Sequence, residues 1–168
     1  MVIMKKPIFR YRNLQPGYHD PTRDAITFVL NKFCPRMADR VMVRVRGDDR
    51  LLEKHNEYAY CLYTVTEPVQ REFQIVMDNS LNPYTWIRTL MHELVHVKQY
   101  AKNEMVHYER DHTSVKWRQS KIDVDKQDYW DLPWEIEAHG REEGLTQQFI
   151  VAFPQHSAFC KSEKIIKG

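Results

Sequence analysis

Cysteine is sparse in this chain: Cys34, Cys61 and Cys160 are the only three, and no two stand in a CxxC pair. That excludes a disulfide framework and a cysteine-ligated zinc ribbon, and leaves three reduced thiols in or near a core. Net charge is equally slight, 25 Lys and Arg against 23 Asp and Glu, too small an excess to coat nucleic acid or hold an anionic membrane. No apolar run approaches the roughly 20 residues of a membrane span. The N-terminus sets two lysines after a four-residue apolar stub with no signal-type stretch behind them, so the expected compartment is the cytoplasm. Glycines number only 5, and there is neither an internal repeat nor a low-complexity tract.

What is present is ordinary for a folded domain. Of the 168 residues, 42% are hydrophobic and 29% charged, which excludes global disorder and suits one domain spanning residues 1–168. Asp20-Pro21 reads as a helix start, followed by Ala25, Ile26, Val29, Leu30 and Phe33 at helical spacing until Pro35. Residues 41–46, 57–65 and 72–77 have strand character, with Glu67-Pro68 breaking the second run. Asn82-Pro83 repeats the helix-start pattern ahead of a stripe of Trp86, Ile87, Leu90, Met91, Leu94 and Val97. Residues 101–132 are polar, aromatic and weakly patterned, a long loop by this reading, and loops of that length are often functional. Asp131-Leu132-Pro133 opens a last helix running to about Ala152. The fold class expected is α+β.

Within the long helix lies His92-Glu93-Leu94-Val95-His96, an HExxH motif. Two His one turn apart share a helix face, so both imidazoles can reach one metal ion. Glu93 lies between them, able to act as general base without being a ligand. Imidazole suits zinc, and a catalytic zinc has three protein ligands and one open position. The third ligand must come from elsewhere. A metzincin would need Gly and His where Gln99 and Lys102 stand, and the HExxHxxxH form would need His where Tyr100 stands. A later carboxylate remains, and Pro133-Trp134-Glu135-Ile136-Glu137-Ala138 offers two.

Taken together, the two segments resemble the gluzincin class of zinc metallopeptidases, in which a Glu commonly followed by Ala on a second helix completes an HExxH site. The likeness runs from about Glu72 to Phe153 and is strongest to small single-domain zincin-like proteins of bacteriophages. It implies a minimal zincin-like domain, with a small, mostly antiparallel sheet packed on the HExxH helix and a C-terminal helix bearing the Glu. The strand before the HExxH helix, 71–77, would then be the sheet edge, to which a substrate peptide adds. Thermolysin-type enzymes carry an Asp four residues after the ligand Glu; here that position is Arg141. Glu135 and Glu137 stand about 200° apart around a helix, so only one can face the metal. Trp134, Ala138, Leu145, Phe149 and Ala152 form the core stripe of the wheel. Glu135 falls among His139, Glu142 and Thr146, a flank that looks solvated, whereas Glu137 falls beside Gly140 and Gly144, where another helix could approach. With its Glu-Ala pair, Glu137 is the expected third ligand.

The function expected is therefore a zinc-dependent hydrolase, a metallopeptidase acting on a peptide or protein substrate. One zinc ion would be held by His92, His96 and Glu137, with Glu93 as general base. If the chain is virally encoded, the compartment is the host cytoplasm. The rival is a non-catalytic zinc-stabilised module of the same fold that binds a protein partner or DNA; an intact Glu93 argues against it. A third reading is a hydrolase of a non-peptide amide. Tyr108, Tyr129 and His112 are candidate hydrogen-bond donors to a developing oxyanion. His107, His112, His139 and His156 are alternative ligands or transition-state donors, though each read singly is a surface residue; Trp117, Trp130 and Trp134 read as pins for the long loop, and the terminal lysines and arginines as solvated.

Overall fold

The computed structural model describes residues 4–64, 70–108 and 111–162, with residue 112 described by its backbone alone. Its order is β1 (Ile8–Arg12), α1 (His19–Phe33), β2 (Met42–Asp48), α2 (Leu51–His55), β3 (Ala59–Thr64), β4 (Glu72–Asp78), α3 (Pro83–Ala101), β5 (Met105–Tyr108), β6 (Asp111–Trp117), β7 (Ser120–Asp123), α4 (Pro133–Ala152) and α5 (Ser157–Cys160). Helices and strands are mixed, as α+β requires. The Glu67-Pro68 break lies outside the described residues. Among those described, no helix is long and apolar enough to cross a membrane.

The main sheet runs β1-β2-β4-β3. Its β1/β2 and β2/β4 pairs are parallel, and only β3 runs antiparallel, against β4. A helical crossover through α1 permits the first parallel pair. Antiparallel pairing prevails only when the second sheet is included. Strand β4 lies inside the sheet rather than at its edge, correcting the assignment of 71–77. Its buried run Ile75-Val76-Met77-Asp78 fits a strand covered on both faces. The edges are β1 and β3, and β3 pairs with β4 alone among the described residues. Gly47 in β2 is required by close packing, since a Cβ there would overlap the Asn13 carbonyl oxygen.

Helix α3 runs through the middle of the protein, against α1, α4, α5 and β3. Its stripe Trp86, Ile87, Leu90, Met91, Leu94 and Val97 is fully buried in one continuous hydrophobic cluster shared with α1 and the sheet. Asn82 caps it as expected, its side chain accepting from the Thr85 N–H at 2.9 Å. Asp20 does not cap α1; Tyr18 holds that position, and Asp20 sits in the first turn, bonded to Arg23.

Residues 101–132 are not a loop. They fold into an antiparallel sheet β5-β6-β7, followed by two short 3-10 turns ending at Asp131. The strands are short, β5 and β6 are interrupted by a register shift at His107/Tyr108, and β6 turns into β7 through Arg118 at φ 54°. Hairpins of this kind usually announce themselves with Asn-Gly or Asp-Gly, which is why this one was not legible. Trp117 and Trp134 are buried against each other and pin the small sheet as expected. Trp130 is 66% exposed.

Candidate metal centre

Position 92 and position 96 lie one turn apart on α3, and their Nε2 atoms stand 3.1 Å from each other. Helix α4 crosses this face and brings Glu135, not Glu137, to the pair. Its Oε2 lies 3.3 Å from His92 Nε2 and 3.5 Å from His96 Nε2. His92, His96 and Glu135 thus form a buried group able to hold a metal ion.

Each imidazole is oriented from behind. His92 Nδ1 is 3.0 Å from Glu142 Oε2, and Arg88 Nε donates to the other oxygen of Glu142 at 2.9 Å. A carboxylate only accepts, so His92 Nδ1 carries a hydrogen, and in the neutral ring its Nε2 presents a lone pair. His96 Nδ1 is 2.8 Å from Gln99 Oε1, while Gln99 Nε2 donates to the Trp134 carbonyl at 3.0 Å. That fixes the same tautomer for His96. With both rings neutral, two imidazole lone pairs and a carboxylate oxygen therefore converge on one point, an arrangement that a shared proton or a metal cation relieves. The donor set, two imidazoles and one carboxylate, fits zinc.

No family model, curated protein or solved structure matches this chain. Burial opposes charging His92, but Glu135 and Glu142 outweigh it and push its pKa up to about 9. His96 is raised in the same way, burial being outweighed chiefly by Glu135. Burial would raise Glu135, yet its bonds to both His and to Tyr129 hold it far below the ordinary carboxylate range. The two His shifts express the carboxylates around the pair, and the Glu135 shift expresses the donors around that carboxylate. Glu93 is also buried, and burial lifts its carboxyl above the usual value against the pull of His96 and His92. It makes no hydrogen bond to another described residue and lines both openings of the site.

Glu137 is engaged elsewhere: its oxygens meet Lys98 Nζ at 2.7 Å, Gln99 Nε2 at 3.1 Å and Arg141 Nε at 3.0 Å. The expectation fails because the flank taken as solvated is the one pressed on α3, with Glu135, Glu142 and Thr146 buried. Gly140 and Gly144 face open space, since a Cβ on either would meet nothing within 4 Å. Trp134, Ala138, Leu145 and Phe149 are buried as the wheel implies, whereas Ala152 is exposed.

Of the candidate donors, Tyr129 reaches the centre, its hydroxyl 2.7 Å from Glu135 Oε2. Tyr108 is on β5 with Lys121 over its ring, and the His112 side chain lies outside the described residues. His139 enters the site unexpectedly, with Nδ1 3.3 Å from Glu142 Oε2, and the Tyr129 hydroxyl 3.3 Å from its Nε2. A signal for both His139 and Glu142 was present: they follow Glu135 by four and seven residues, which places all three on one helix face. His92, His139 and Glu142 form a second possible metal-holding group. Glu142 is already matched there by Arg88 and the His92 N–H, so the first group is the candidate centre.

Two openings flank Glu93. One, of about 700 Å³, lies on the His92 side between Tyr58, Arg88 and Trp130. The other, of about 290 Å³, lies on the His96 side between Cys61, Tyr100 and His107. Ala59, at the start of the free edge strand β3, lines both.

Proposed function

We propose that this protein is a zinc-dependent hydrolase, most specifically a metallopeptidase. The observation that carries the reading is the convergence of His92 Nε2, His96 Nε2 and Glu135 Oε2 within 3.1 to 3.5 Å, with each ring held through its Nδ1 from behind. Those three residues would hold the ion. Bound zinc supplies Lewis-acid polarisation of a carbonyl and lowers the pKa of water toward neutrality.

Glu93 is then the base. Its carboxylate is buried, uncommitted to hydrogen bonds with described residues and exposed to both openings, so it can take a proton from water and pass it to a departing amine. Its raised pKa helps it hold that proton between the two steps. Tyr129 directs a hydroxyl into the same space and is placed to donate to a developing oxyanion. Burial, with the neighbouring Glu135, raises its pKa, so it stays protonated near neutrality. An extended peptide laid along the outer edge of β3 would pair with that strand and cross Glu93 between the two openings.

Metal analysis and peptide-library digestion test the proposal together. Purified protein is expected to take up about one equivalent of zinc. Glu93→Gln should keep that zinc and lose roughly 10²–10⁴-fold in cleavage rate. Wild type that refuses zinc would refute the reading. Zinc-loaded protein that cleaves nothing would favour the non-catalytic module.

A further inference from the structure

Gln99 is fully buried beside the candidate ligand His96, and a carboxamide is a poor choice for orienting an imidazole unless something distinguishes its two ends. Oxygen and NH₂ are nearly the same size; one accepts, the other donates. Turned one way, Gln99 takes the hydrogen of His96 Nδ1 and leaves Nε2 free for a metal. Turned the other way, it donates to Nδ1, and the ring must then carry its hydrogen on Nε2, aimed into the centre where it blocks a metal ion.

Resting on the metallopeptidase reading above, we propose that Glu137, backed by Lys98, is a positioning residue that fixes the Gln99 amide and so decides which nitrogen of His96 faces the metal. The NH₂ end of Gln99 lies between the Trp134 carbonyl at 3.0 Å and Glu137 Oε2 at 3.1 Å. Both partners only accept, so the reversed amide would set oxygen against two oxygens. Glu137 is itself immobilised: Lys98 Nζ at 2.7 Å and Arg141 Nε at 3.0 Å hold its other oxygen. The Lys98 side chain is only 5% exposed and has a second carboxylate, Glu104, at 2.6 Å. Such an enclosed lysine between two acids is a fixed strut. Lys98 and Gln99 follow His96 closely on α3, and Glu137 follows Glu135 closely on α4. The two helices are thus clasped at the metal centre and again just beyond it, and the second clasp sets the chemistry of the first.

Zinc titration of the full chain against a chromophoric chelator tests this, with wild type first shown to bind. Glu137→Gln keeps size and shape but can present oxygen or NH₂ to Gln99, so zinc affinity should fall roughly 10–100-fold, the usual cost of losing a group that orients a ligand. In metal-free protein, above the titration range of the rings, ¹⁵N signals should show one His96 tautomer in wild type and two in Glu137→Gln. A strut of purely mechanical value would leave the tautomer unchanged. Wild-type affinity and a single tautomer in Glu137→Gln would overturn the proposal while leaving the metallopeptidase reading intact. Failure of wild type to bind zinc would remove both. If Glu137→Gln does not fold, the ¹⁵N spectrum of Glu137→Ala decides: a second His96 tautomer supports the proposal, and a single one overturns it.

Discussion

On one flank of α4, Glu135, Glu142 and Thr146 are buried against α3; on the other, Gly140 and Gly144 look onto open space. By hydropathy the first flank belongs to solvent and the second to a close helix contact. The structure reverses them because burial follows what a partner surface offers as well as apolarity. Helix α3 presents two imidazoles and Arg88, and polar groups are tolerated inside only where such partners pair with them. A polar stripe opposite an HExxH face is therefore part of the site.

The sharpest way to break this comparison is to remove one carboxylate from each flank. Glu135→Ala should abolish tight zinc binding, whereas Glu137→Ala should weaken it only by the roughly 10–100-fold of an orienting group. The opposite ranking in the same titration would mean that the helix is turned the other way. Phe149→Ala empties the apolar face between the two flanks. At a fully buried site it should cost roughly 3–5 kcal/mol in denaturant unfolding, with zinc stoichiometry unchanged in whatever remains folded. Glu142→Ala strips the acceptor from His92 Nδ1 and should reduce zinc affinity by roughly 10–100-fold. A Glu142 that was merely a solvated acid would show no change. The smallest effect has the opposite sign. Gly144→Ala puts a methyl into open space within a helix, so melting should show a gain of roughly 0.5–1 kcal/mol. Destabilisation there would indicate that the glycine flank is packed after all.

Much of the centre was legible in the chain because its signals are local. HExxH sets its own geometry within one helical turn, and Asn82-Pro83 fixes where that helix begins. The limits of α4 and its apolar stripe of Trp134, Ala138, Leu145 and Phe149 follow from spacing alone. The turn of α4 about its axis was not legible, since Glu135 and Glu137 differ only in what lies across from them. The Gln99–Glu137 link is a contact between helices 38 residues apart in sequence and leaves no pattern in either. The small sheet was hidden by short strands and a turn built on Arg118, and the edge role of β3 by its resemblance to any half-exposed strand.

Arg88 behind Glu142 and Lys98 behind Glu137 have one more consequence. Glu142, behind His92, and Glu137, behind Gln99, each meet a cation from α3. That leaves Glu93 and Glu135 as the unmatched charges at the centre, and one divalent ion makes the whole assembly close to neutral. A neutral centre casts little field beyond its own walls, so it neither draws nor repels substrates from a distance. On the proposed metallopeptidase reading, encounter with a peptide would then be governed by diffusion and by short-range fit along β3, and the rate of capture should stay nearly flat as ionic strength rises.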